Sequence, residues 1–312
     1  ASTALVGALL GMGGELTEAL GPDVTADARV VSTGPGAGTI NASIDSQFLT
    51  MRAPRLTLKD GFLRVEGDKQ VKVEFVPSDP LRERLLEPIN PIFTDVRMAT
   101  PEQRIVLTVP SVAYPLDGDF SKLETDMQLT VGPVLMQRNS QNQLLNLLKV
   151  FQSQEGKPVE GLIDPLVVQV RAGQLTYSNF NVFLEKQGAT WVTQLIFSGD
   201  IDLTRKPAFA RAIAANYPMS SVARQMLSNV PADEGGAELQ GVFGLATGAL
   251  NAVQLRISFS GPLGEVDGKS VPLKRKIKVV FKPDAIGQGV GDALKDAGGI
   301  IKDIFDKNKK GK

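Results

Sequence analysis

The chain has 312 residues, 42% of them hydrophobic and 22% charged, and its 34 basic residues balance 34 acidic ones. That composition belongs to a folded chain, and the charge balance leaves no bulk field to steer it towards nucleic acid. With no cysteine and no histidine, disulfides, thiolate nucleophiles, cysteine or histidine metal sites and imidazole acid/base chemistry are excluded, so an enzyme would have to work with carboxylates, Lys, Tyr or Ser.

No apolar run is long enough to span a membrane as a helix. The first residue is Ala rather than Met, which implies a removed leader or a piece of a longer chain. Leu9, Met12, Leu16 and Leu20 share one face of an opening helix expected over 1–22, although Gly11, Gly13 and Gly14 weaken it. From Val24 the period changes to two. A strand is expected over Val24 to Val31, then a turn-rich break from Ser32 to Gly38, then Ile40, Ala42 and Ile44 in alternation.

Leu56 and Leu58, the turn at Asp60-Gly61, then Leu63 and Val65 read as a hairpin, with Val71, Val73 and Phe75 as the next strand. Pro80 in a first turn, with Ser78 or Asp79 as cap, predicts an inserted helix over 78–88. Ile105, Leu107 and Val109 return to strand. Met127, Leu129 and Val131 follow as another, and Leu144, Leu145, Leu147, Leu148 and Phe151 predict a second inserted helix over 137–153.

Leu166, Val168 and Val170 lead through Ala172-Gly173 into Leu175 and Tyr177, then Phe180, Val182 and Leu184, and on to Trp191, Thr193, Leu195, Phe197 and Ile201. Phe209, Ile213, Val222, Met226 and Leu227 predict a third helix over 207–229, divided by Pro218. Val253, Leu255, Ile257 and Phe259 form the clearest strand. Val271 to Phe281 adds one more, with Lys274, Lys276, Lys278 and Lys282 on its other face. A terminal amphipathic helix and basic tail are expected over 284–312.

Strands joined by short turns favour antiparallel neighbours. The expected organisation is therefore a helix over 1–22, one continuous β-rich domain over 23–283 with helices inserted at 78–88, 137–153 and 207–229, and the helix and tail of 284–312. The fold class is α+β, mainly β: a long twisted antiparallel sheet forming a groove or trough, with a few amphipathic helices.

No motif carries an obvious chemistry. Gly34 to Gly38 lacks the Lys-Ser/Thr ending of a phosphate cradle and reads as a turn. Asp200 with Asp202, and Asp117 with Asp119, lie two apart, a spacing that suits a cation or acid/base work but more often marks solvated turns. No catalytic residue, metal or cofactor is expected. The lysine stripe reads as a solvated or edge-guarding strand face, or as a contact for anionic headgroups. No aromatic residues interleave with it, which disfavours single-stranded nucleic acid. The apolar strand faces suit a closed core and also an open trough that shields acyl chains. Period and composition do not separate the two.

The X-Gly-X-Leu turns at Asp60-Gly61-Phe62-Leu63 and Ala172-Gly173-Gln174-Leu175, the strand end Val131-Gly132-Pro133-Val134 before a Leu-rich segment, and Ser260-Gly261-Pro262-Leu263 resemble the C-terminal region of AsmA/TamB-like proteins. The resemblance runs from about Val24 to Pro283, and Ile163-Asp164-Pro165 to Leu203 carries most of it. It implies an elongated β groove in the periplasm or cell envelope of a double-membraned bacterium, conducting phospholipids between membranes, with no catalytic motif. On that reading Phe180, Val182, Leu184, Leu195, Phe197, Val253, Leu255, Ile257 and Phe259 line the groove. Lys274, Lys276, Lys278 and Lys282 meet headgroups or a membrane surface. The expected partners are phospholipid or another acyl lipid, a membrane surface through the C-terminal helix, and other envelope proteins. The alternative is a structural or assembly protein with a closed β core and a protein-binding surface.

Overall fold

Alternating stretches rich in Val, Ile, Thr and Phe suit a pleated, half-buried surface. They become the strands Val24–Gly34 (β1), Ala37–Ser46 (β2), Leu49–Lys59 (β3), Phe62–Val65 (β4), Val71–Phe75 (β5), Val96–Met98 (β6), Ile105–Pro115 (β7), Glu124–Thr130 (β8) and Gly132–Met136 (β9). Val159–Ile163 (β10), Leu166–Arg171 (β11), Gln174–Gln187 (β12), Thr190–Asp202 (β13), Phe209–Pro218 (β14), Val253–Pro262 (β15), Glu265–Val266 (β16), Lys269–Ser270 (β17) and Lys274–Phe281 (β18) complete the set. The computed structural model describes residues 2, 15–65, 69–82, 86–87, 89–90, 92–93, 96–136, 158–187, 190–218, 253–263, 265–266, 269–270 and 273–281.

The protein is mainly β, and its described residues form one antiparallel sheet of 16 strands and a separate hairpin of β16 and β17. Several short strands are collinear pieces. β4 and β5 both lie between β3 and β7. β8 followed by β9 pairs with β11 preceded by β10, and β6 extends the line of β7 against β9. With these pieces joined, each line of the sheet bonds to its neighbours in sequence from β1 to β18, an uncrossed meander.

The hairpin turns follow from their residues. Asp60 and Gly61 have φ of 51 and 76, and Ala172 and Gly173 have φ of 51 and 71, the two positive values of a type I′ turn whose twist matches the strands it joins. The register confirms two-residue loops, with Lys59 opposite Phe62 and Arg171 opposite Gln174. The break after β1 is narrower than the residues suggest, because Gly34 already pairs with Ala37.

A bend crosses the middle of the sheet. β8 gives way to β9 at Val131-Gly132, β10 to β11 at Asp164-Pro165, and β12 carries a bulge between Tyr177 and Phe180 with Asn179 at φ 54. The Gly132-Pro133 and Ile163-Asp164-Pro165 segments face each other here, since Gly132 pairs with Ile163 and Pro133 with Leu162. Pro165 has no N–H to give the ladder, so pairing stops after Ile163 and restarts at Leu166. Gln103 spans the break by donating from Nε2 to the carbonyls of Val131 at 2.7 Å and Pro133 at 2.8 Å.

Three helix expectations change. The segment expected as helix over 207–229 is strand β14 from Phe209 to Pro218, paired with β13 and β15; 219–229 lies outside the described residues. Its alanines favour helix, but two strand partners override a weak local preference. A bulge between Ala210 and Ile213 also breaks the period-two pattern. Of 78–88, only Asp79–Leu81 is a helical turn, capped by an extended Ser78 that makes no side-chain capping bond. Of 1–22, Glu15–Leu20 is helical (α1), while Ser2 forms an isolated antiparallel bridge with Asp23. The segments 137–153 and 284–312, and Lys282, lie outside the described residues.

Candidate functional site

Directly opposed residues in a sheet project to the same face, so the register alone traces that face across the protein. One row runs Val30, Ile40, Leu56, Val65, Val112, Thr125, Val170, Leu175, Ile201, Ala210, Gly261 from β1 to β15. A second runs Ala26, Ile44, Met51, Val73, Leu107, Leu129, Leu166. Beyond the bend, Phe180, Phe197, Ala215 and Ile257 make a third. Thr125 is the one polar side chain in these rows, and its hydroxyl donates to the Ser111 carbonyl at 2.9 Å.

Burial along this face is uneven. In the first row Val30 is 65% exposed, Ile40, Leu56 and Val112 are half-buried, and Val65, Thr125, Val170, Leu175, Ile201 and Ala210 are buried. The sheet therefore has a wing, β1 to β5, whose apolar face is open at β1 and half-buried at Ile40, Ile44, Met51, Leu56 and Val73, with Ala53, Val65 and Phe75 buried, and a body, β8 to β15, where that face is core.

The body is packed by aromatic rings. Phe180 and Phe197 lie 5.7 Å apart between centroids, Phe93 stacks on Phe180 at 5.8 Å, and Tyr177 meets Phe180 edge-on at 6.2 Å. Phe93, Ile92 and Leu86 come from the segment between β5 and β6, which leaves the sheet and covers this face. Asn90 fixes that cover. Its side-chain nitrogen donates to the Tyr177 hydroxyl at 2.9 Å, and its oxygen accepts from the Ile92 backbone at 2.9 Å. Burial pushes the Tyr177 hydroxyl well above its ordinary range, while the bond from Asn90 acts in the opposite direction. The Tyr177 ring lies across Gly199, its partner in β13, where a Cβ would stand 2.1 Å from the ring.

Of the residues expected to line a groove, Phe180, Val182, Leu184, Leu195, Phe197, Ile257 and Phe259 all belong to this body, with exposure of 4% or less. The strand positions of Val253 and Leu255 continue the same alternation, opposite Phe281 and Val279. Lys274, Lys276 and Lys278 stand exposed on the other face of the edge strand β18, with Lys278 opposite Arg256. Among the described residues none of the three has a carboxylate partner.

The carboxylates are engaged in turns and strand pairs. Asp117 and Asp119 both bind Lys122, at 2.7 and 3.2 Å, and Asp119 accepts from Ser121. Asp202 accepts from the Thr204 hydroxyl at 2.5 Å and backbone N–H at 3.0 Å and meets Arg205 and Arg211 at 3.3 Å, whereas Asp200 accepts from Gln174. The Thr204 donors, with Arg211, hold Asp202 below the ordinary aspartate value. On β8, Asp126 binds Ser111 and Arg171, each at 2.7 Å, and its pKa is lowered first by that hydroxyl. Among the described residues no cluster of three or more acidic side chains suits a metal ion, and no helix is long and apolar enough to cross a membrane.

The chain matches no protein-family model, no curated protein and no solved structure. The face rows were not legible strand by strand, because period two says that a strand has an apolar face but not which faces point the same way. Asn90 was also missed. Its one signal is an uncharged polar residue between Pro88 and Pro91 in an otherwise apolar stretch.

Proposed function

We propose that the protein is a non-enzymatic lipid-binding or lipid-conducting module, in which the apolar face of the meander shields acyl chains from water. The observation that supports this reading is the row from Val30 to Ala210, apolar across strand after strand yet partly open at the wing. Acyl chains lie against Ile40, Ile44, Met51, Leu56 and Val73. The body residues Phe180, Val182, Leu184, Leu195, Phe197, Ile257 and Phe259 close the far side of the same face. Each buried methylene contributes about 0.8 kcal/mol, so a chain covering part of the wing is held without a specific polar contact. Phospholipid or another acyl lipid is the ligand. The setting implied by the AsmA/TamB resemblance is the bacterial periplasm or envelope. Lys274, Lys276 and Lys278, which have no carboxylate partner among the described residues, offer cations to anionic headgroups.

A second reading is a structural or assembly protein with a closed β core and a protein-binding surface. The stacking of Phe93 on Phe180 favours it, because ring packing of this kind leaves no room for a ligand in the body.

Native mass spectrometry on the chain purified without detergent separates the two. Lipid at defined stoichiometry, lost in Met51→Glu and Leu56→Glu while far-UV circular dichroism is unchanged, is the expected result. A lipid-free chain that takes up none from phospholipid vesicles overturns the lipid reading.

A further inference from the structure

Among the described residues β1 bonds only to β2, so its other edge from Thr25 to Gly34 has no described strand beside it; the bridge of Ser2 falls at Asp23, before β1 begins. Every residue from Thr25 to Thr33 is exposed, Val30 and Val31 at 65% and 46%. Proteins guard such edges with proline, lysine, bulges or inward charges, because a free edge templates another strand. From Val24 to Ser32 there is no proline and no lysine, and the register with β2 is unbroken. The opposite edge is guarded. Self-pairing of β18 would set its lysines among one another.

The residues of β1 suit one partner in particular. Reading out from Ala28 in both directions, Asp27 stands against Arg29, Ala26 against Val30, and Thr25 against Val31. An antiparallel strand centred on Ala28 therefore meets an opposite charge on one face and an apolar residue on the other, and the strand with that pattern is β1 itself. Among the described residues neither Asp27 nor Arg29 has an ion-pair or side-chain hydrogen-bond partner within its own chain.

We propose that β1 is the two-fold interface of a homodimer, in which β1 of two copies pairs antiparallel about Ala28, with Asp27 opposite Arg29 of the partner subunit and Ala26 opposite Val30 of the partner subunit. The contact is isologous and closes at two copies. It joins the two sheets edge to edge and carries the row of Ala26, Ala28 and Val30 from one copy into the next. A single strand pair buries less than the roughly 1,200 Å² of a standard stable interface, so the dimer is weak, with dissociation in the micromolar range.

Sedimentation velocity on the whole chain, from about 1 µM to about 500 µM at low salt, tests this over the range where such an interface forms. A monomer–dimer equilibrium is expected. Asp27→Arg alone and Arg29→Asp alone each place like charges opposite one another twice per dimer, and each weakens association by about tenfold. The double swap Asp27→Arg/Arg29→Asp restores opposite charges and returns the dissociation constant to within about threefold of the starting chain. Because both sites are exposed, circular dichroism is unchanged in all three variants. A chain that stays monomeric at every concentration overturns the proposal, as do assemblies larger than two, single reversals without effect, or a folded double swap that fails to restore pairing.

Discussion

Ile40 and Ile201 belong to one cross-strand row, yet Ile40 is half-buried in the wing and Ile201 is wholly buried in the body. The difference lies in what stands beside and above them. On the wing's apolar face Ala26, Ala28 and Val30 are exposed and Ile40, Ile44, Met51, Leu56 and Val73 half-buried, and only Ala53, Val65 and Phe75 of its apolar residues are buried. The body presents Tyr177, Phe180, Phe197 and Phe259 and is covered by Leu86, Ile92 and Phe93. Period-two patterning decides which face is apolar. Ring volume and one crossing segment decide whether that face is core.

The comparison breaks first at Phe197. A carboxylate there has no water and no partner, so Phe197→Glu removes more than about 4 kcal/mol and unfolds the body. Leu56→Glu, in the half-open wing, leaves a cooperative urea transition in place. Equal losses from the two would erase the distinction between the regions.

Gly199→Ala comes next. Its Cβ would stand 2.1 Å from the Tyr177 ring, and displacing the ring also breaks the hydroxyl bond to Asn90 that anchors the cover. The expected cost is about 2–3 kcal/mol, read from the shift in urea midpoint.

Much of the meander was legible in the residues, and where it was not the reasons are specific. Asp60-Gly61 and Ala172-Gly173 announce two-residue hairpins because few other residues accept positive φ at both positions, and Val253 to Phe259 alternates without interruption. Strand β14 was misread as helix because Phe209 and Ile213 fall four apart and alanines surround them; the bulge that restores the face at Ile213 leaves no mark in the sequence. The body's cover was hidden for a different reason. Asn90 and Tyr177 are 87 residues apart, and local patterning does not register a contact at that distance.

Acid sharpens the comparison more gently. Asp202, Asp126, Asp117 and Asp119 all have pKa values below the ordinary 3.8, so the unfolded chain takes up protons first. Their stabilisation is full above that value and is lost as pH falls through the lowered folded values. Asp202→Asn removes one such contribution beside the body, and its acid-unfolding curve between about pH 4 and pH 2 becomes shallower than that of the unchanged chain. An unchanged slope would contradict the role given to the Thr204 donors.

The smallest effect is a gain. Ala172 holds a left-handed conformation at φ 51 that costs a residue with a Cβ about 1–2 kcal/mol, and asparagine tolerates it better. Ala172→Asn should raise stability by about 0.5–1 kcal/mol in urea unfolding, without altering the wing.

The most direct measurement is photolabelling with a phospholipid that carries a photoreactive group on its acyl chain, followed by peptide mapping. Labels concentrated on β2 to β5, between Ala37 and Phe75, and suppressed by Met51→Glu, are what an open wing and a packed body predict. Labels on β12 to β15 with none on the wing, or no labelling above that of a denatured chain, would contradict it.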